Sequence, residues 1–75
     1  MPKVLFQNLT DRPTSLGIEP WADVETIEPN KMAEFEYDEP AEVVFALMSD
    51  GSVTVSLDSD RIVMTANGRS RKING

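Results

Sequence analysis

The chain contains neither cysteine nor histidine. Without thiols it forms no disulfide and offers no thiolate nucleophile. Without imidazole a Ser-His-Asp triad is excluded, and a zinc site would have to be built from carboxylates alone. The four glycines, at 17, 51, 68 and 75, are too scattered for a phosphate-cradling loop. The longest unbroken apolar run is VVFALM at 43–48, far short of the roughly 20 residues that span a bilayer as a helix. Residues 1–18 lack the basic start, apolar stretch and small-residue cleavage site of a signal peptide. Together with the missing cysteine, this sets the expectation of a cytoplasmic protein without a membrane partner.

What is present is 75 residues, enough for one domain. A chain of this size buries only about 60% of its unfolded surface. With no disulfide or metal available, unusually good packing or oligomerisation is the expected source of extra stability. The net charge is −6, unevenly spread. Residues 19–42 hold nine carboxylates against Lys31, whereas residues 61–75 hold Arg61, Arg69, Arg71 and Lys72 and no acid. The acidic block reads as a solvated face or as a docking face for a basic partner. The basic end reads as a frayed tail over 69–75, following an all-β domain over 1–68. Such a tail has three possible contacts: a phosphate backbone, the chain's own acidic face, or a neighbouring subunit.

Prolines at 13, 20, 29 and 40 interrupt the first half, and no helical period persists for three turns. Between the prolines lie short runs rich in Val, Ile, Phe, Tyr and Thr, the pattern of an all-β domain. VLFQNL, TSLGIE, DVETI, AEFEYD and RIVMTA read as strands, with TDRP and EPNK as turns. In AEFEYD, Ala33, Phe35 and Tyr37 face inward, and Glu34 and Glu36 outward. Asp50-Gly51 lies between two further runs and predicts a two-residue hairpin loop. That loop would pair Ser49 with Ser52, Met48 with Val53, Ala46 with Val55 and Val44 with Leu57, one shared apolar face. The 42–48 strand, apolar on both sides, would then be central or wrapped, and the 52–57 strand solvated on one side. Asn67-Gly68 either turns a last hairpin or releases the tail. The predicted architecture is a small antiparallel β-sandwich or partly open barrel of six to seven short strands.

The residues Asn8, Thr10, Asp11, Arg12, Pro13, Glu19, Pro20, Trp21 and Pro29, in NLTDRP…LGIEPWADVETIEPN, resemble a motif of small bacterial all-β proteins. In that motif an N-x-T-D-R-P turn precedes an apolar strand ending in E-P-W. The resemblance covers residues 6–31, less than half the chain. It departs at Ala22 and Asn30, where glycine is expected and the backbone is freest. It implies a β-sandwich-like fold and supplies no catalytic residues.

Pro20 marks a strand end, since it has no N–H for a ladder. Trp21 either caps the thin core or serves as an exposed anchor flanked by Glu19 and Asp23. Glu34 and Glu36 share one strand face at a spacing of about 7 Å, but nothing around them forms a sugar cleft. Asp58, Ser59 and Asp60 could assist a weak cation site at a strand end. Single-stranded nucleic acid would need several cations on one surface, and the acidic block weighs against it. No catalytic residue, metal ligand or cofactor is therefore assigned. The expected role is a non-catalytic protein-interaction or structural module that meets a protein partner or self-associates. Glu19, Trp21, Asp23, Arg69, Arg71 and Lys72 are its candidate contact residues. Two alternatives remain: a small-molecule or metal-ion binder near Trp21, and nucleic-acid contact through Arg69, Arg71 and Lys72.

Overall fold

The described residues form eight strands rather than the expected six to seven, most of them by period-two alternation of apolar and polar side chains. They are β1 (Lys3–Gln7), β2 (Thr14–Glu19), β3 (Asp23–Ile27), β4 (Met32–Tyr37), β5 (Val43–Leu47), β6 (Val53–Leu57), β7 (Ile62–Ala66) and β8 (Arg69–Lys72). The computed structural model describes residues 2–39 and 42–73, and there is no helix among them. One sheet has the order β1-β4-β7-β8 and the other β3-β2-β6-β5. The two sheets pack together without closing into a barrel, which resolves the expected alternatives in favour of a sandwich.

The core is the space between them. Leu16 and Ile18 from β2, Ile27 from β3, and Val55 and Leu57 from β6 face Ala33, Phe35, Ile62, Met64 and Ala66 of the other sheet, all buried. β7 shows the rule most cleanly, with Ile62, Met64 and Ala66 buried and Val63 and Thr65 between them partly exposed. β4 buries Ala33 and Phe35 as expected, with Tyr37 half-buried at the core's margin. Each fully buried aliphatic or aromatic side chain stabilises the fold by about 1.5–3 kcal/mol.

Three expectations about β5, its hairpin and the C-terminal segment are corrected. First, the hairpin at Asp50-Gly51 is displaced by one residue. Met48 N–H donates to Ser52 O at 2.8 Å and Gly51 N–H to Met48 O at 3.0 Å, so Ser49, Asp50 and Gly51 all lie in the loop. Gly51 has φ 89°, the left-handed residue that closes a type I turn in loops of this length. The Asp50 carboxylate fixes the turn by accepting Ser52 N–H at 2.9 Å and Ser52 Oγ–H at 2.6 Å. Leu47 therefore pairs with Val53, Phe45 with Val55 and Val43 with Leu57. These residues, not Val44, Ala46 and Met48, share the inward face with β6.

Second, β5 is an outer strand, not a central one. Its two-sided apolar character suggested burial on both faces, but β6 takes the interior place beside β2. As expected, β6 has one solvated side, with Ser56 exposed. Third, Arg69–Lys72 is not a frayed tail but β8, paired with β7 from Val63↔Lys72 to Ala66↔Arg69. Asn67 and Gly68 have φ 54° and 74°, the double left-handed geometry of a two-residue hairpin turn. Ile73 continues the contact by donating its N–H to Ile62 O at 3.0 Å. Residues 74 and 75 of the expected tail lie outside the described residues.

The wholly antiparallel expectation also gives way at one ladder. β2 runs parallel to β6, with Leu16 opposite Val53 and Ile18 opposite Val55. The two strands are separated in sequence by β3, β4 and β5, which supply the long connection that a parallel pair requires.

Candidate interaction surface

Four strands lie on the outside of the two sheets: β1 and β8 in one, β3 and β5 in the other. On one side of the sandwich, Phe6 of β1 stacks on Phe45 of β5, with ring centroids 6.0 Å apart and planes 19° from parallel. On the other, β8 meets β3. Arg71 donates to both carboxylate oxygens of Asp23 and, through Nη2, to Glu25 Oε1 at 3.1 Å. Asn67 adds a bond to Glu25 Oε2 at 2.9 Å and one to Thr26 O at 3.1 Å. Asp23 and Glu25 sit on the inward face of β3 because they alternate with Val24, so their charges need this partner. The hydrogen bond from Arg71 holds the Asp23 carboxyl below its ordinary range, and the same bond raises the Arg71 guanidinium.

Of the expected contact residues, the structure thus brings together Asp23 and Arg71, in a clasp between the sheets. Arg69 and Lys72 are exposed on β8. Glu19 ends β2, exposed, before a cis bond to Pro20. Trp21 is 37% exposed, and its indole N–H donates to Leu57 O at 3.1 Å, at the end of β6. Its indole is thus tied to the end of β6 while more than a third of its surface meets solvent. Glu19 and Pro20, with Glu42, Val44, Ser56, Leu57 and Asp58, surround a shallow depression of about 500 Å³. Ala22, next in the turn, has φ 56°, and Asn30 of the following turn φ 64°. Both lie in the left-handed region that glycine enters most freely.

Asn8 and Thr10 have a structural role. Asn8 is only 2% exposed. Its Nδ2 donates to Arg12 O at 2.7 Å and Ile27 O at 2.8 Å, and its Oδ1 accepts Thr10 N–H at 3.0 Å. Its backbone exchanges bonds with the other turn, Asn8 N–H to Lys31 O at 2.9 Å and Asn30 N–H to Asn8 O at 2.7 Å. One side chain thereby joins the β1–β2 and β3–β4 turns. At the opposite end, buried Ser59 accepts Asp38 N–H at 3.1 Å and donates to Asp38 O at 2.8 Å. Its hydroxyl is thus committed to the backbone. Among the described residues, no three carboxylates converge to hold a metal ion.

The surface that sequence reasoning missed is β5. Val44, Phe45 and Leu47 are 47%, 39% and 79% exposed, and Met48 just beyond the strand is 46% exposed. No residue of β5 is charged, whereas β1 carries Lys3, β3 carries Asp23 and Glu25, and β8 carries Arg69, Arg71 and Lys72. Charged residues on an outer strand discourage pairing with other chains, and β5 lacks that protection. The signal is present in VVFALM as an uncharged run, which by itself fits an outer strand as well as a deeply buried one. Compared with known proteins, the chain matches no family model, no curated protein and no solved structure.

Proposed function

We propose that the protein is a non-catalytic interaction module that accepts an extended segment of a protein partner as an added strand along β5. The observation that carries this reading is the outer, uncharged and apolar character of Val43–Leu47. Strand addition takes its affinity from main-chain hydrogen bonds and its specificity from alternate side chains. Phe45 and Leu47 on one face, and Val44 on the other, supply those side-chain contacts. The absence of imidazole and thiol from the sequence agrees with a role in binding.

The test is a titration of ¹⁵N-labelled protein with a blocked peptide of alternating valine and threonine, flanked by lysines for solubility. Amide shifts concentrated in β5 and β6 are the expected result. No shift in a monomeric sample at millimolar peptide, or shifts centred on β8 or on the Trp21 turn, would overturn the reading.

A further inference from the structure

We infer that the strand added to β5 is β5 of a second copy, running antiparallel across a two-fold axis at Phe45. This rests on the interaction reading above and names its partner. The register follows from the backbone. Met48 N–H points to β6, where it meets Ser52 O. Bonding groups alternate along an antiparallel strand, so Ala46 and Val44 also turn theirs toward β6. Val43, Phe45 and Leu47 then present their N–H and C=O groups outward. These three positions are symmetric about Phe45. Two copies placed antiparallel pair Phe45 with its own counterpart and Val43 with Leu47 of the other chain, and each pair exchanges both bonds.

Side chains and charge agree with that register. Val44 falls opposite Ala46, so the second face is apolar on both chains as well. A chain of net charge −6 meets its own copy most favourably where it carries no charge, and Val43–Leu47 is such a place. The exposed parts of Val44, Phe45, Leu47 and Met48 are covered in part by such a pairing, a contact at the small end of specific interfaces. A symmetric pair of this kind closes on itself and leaves no further β5 edge for growth. The product is a continuous sheet of eight strands, with β5 covered at its centre.

Sedimentation equilibrium of the full chain tests this. The expected result is a mass rising from 8.3 kDa to twice that value between about 1 and 500 µM, with tighter association at high salt as repulsion between like-charged copies is screened. Leu47→Lys should reduce the association at least tenfold. Val24→Lys, at a site 61% exposed on β3, should leave it unchanged, with both variants keeping the parent circular dichroism spectrum. In the dimer, hydrogen exchange should slow at the amides of Val43, Phe45 and Leu47, but not at Val44 and Ala46. A monomer at every concentration overturns the inference, as does a dimer indifferent to Leu47→Lys. If the chain is monomeric while the valine-threonine peptide still shifts β5, the second copy is ruled out and the interaction module stands. If neither occurs, both fall.

Discussion

Asp23 and Arg71, 48 positions apart in the chain, join the outer strands of the two sheets through a two-point ion pair. The pair is only partly shielded, with Asp23 28% and Arg71 40% exposed at the side chain. It therefore acts as a clasp of modest strength rather than as a buried charge pair that defines the core.

Replacing Arg71 with methionine keeps an apolar stem and removes the charge. The expected loss at neutral pH and low salt is about 1 kcal/mol, shrinking as salt is added. The pH dependence has a definite sign. Asp23 is held below its ordinary 3.8 by the Arg71 hydrogen bond. Its contribution is therefore present above the unfolded value and is lost as pH falls through the folded one. Urea midpoints of parent and Arg71→Met should differ at pH 7 and converge as pH falls below the ordinary Asp23 value of 3.8. Asp50, lowered by Ser52, is common to both chains and cancels in the comparison.

Ala22 and Asn30 share a left-handed backbone but not its cost. Alanine in that region is strained by about 1–2 kcal/mol, whereas asparagine tolerates it. Ala22→Gly should raise the unfolding free energy by up to about 1 kcal/mol, after the greater flexibility of glycine in the unfolded chain is deducted. Asn30→Gly should stay within about 0.5 kcal/mol of the parent. Equal effects would mean that backbone strain does not distinguish the two turns.

Asn8→Leu removes the bonds that close two turns, leaving Ile27 O without the Asn8 donor and Thr10 N–H without its acceptor, while Arg12 O keeps the Thr10 hydroxyl. Each buried group left unpaired costs about 1–3 kcal/mol, so the variant should lose about 3 kcal/mol or more in urea unfolding. Asn8→Asp should not rescue it, because a carboxylate cannot donate to Ile27 O.

Val55→Asp places a charge at the centre of the core, where the parent side chain is fully buried, and should leave the chain unfolded by circular dichroism. Thr54→Asp lies one residue away on the outward face and should cost less than about 1 kcal/mol. Equal damage would contradict the face assignment of β6.

Much of this architecture was legible in the sequence. TSLGIE and DVETI became β2 and β3 at their expected positions, because Pro13, Pro20 and Pro29 bound them so tightly. Ala33 and Phe35 were correctly placed inside by alternation with Glu34 and Glu36. The register at Asp50-Gly51 was not legible in the same way. A glycine in the left-handed region serves a two-residue or a three-residue loop, and the side chains of Asp50 and Ser52 stabilise the longer one. Alternation gave no warning, since VVFALM is apolar on both faces and accepts either phase. The place of β5 in the sheet was hidden for the same reason. Arg69–Lys72 looked like a loose tail because its sequence is nearly all polar. It is held as a strand by the Asn67-Gly68 turn and by Arg71 reaching Asp23, a partner that no local pattern reveals. The role of Asn8 was equally hidden, because burial of a lone amide depends on two turns meeting in space.

The parallel ladder between β2 and β6 bears on the order in which the molecule assembles. The β2–β3, β5–β6 and β7–β8 hairpins close over short loops and can form on microsecond timescales. β2 finds β6 only after three intervening strands have been gathered in, so chain closure sets a slower pace, in the millisecond-to-second range of β-rich topologies. Where the β5–β6 hairpin forms first, β6 lacks its second neighbour until that closure. The half-built sheet then exposes two apolar margins, making a crowded, newly synthesised population of this chain most prone to mispairing before β2 arrives.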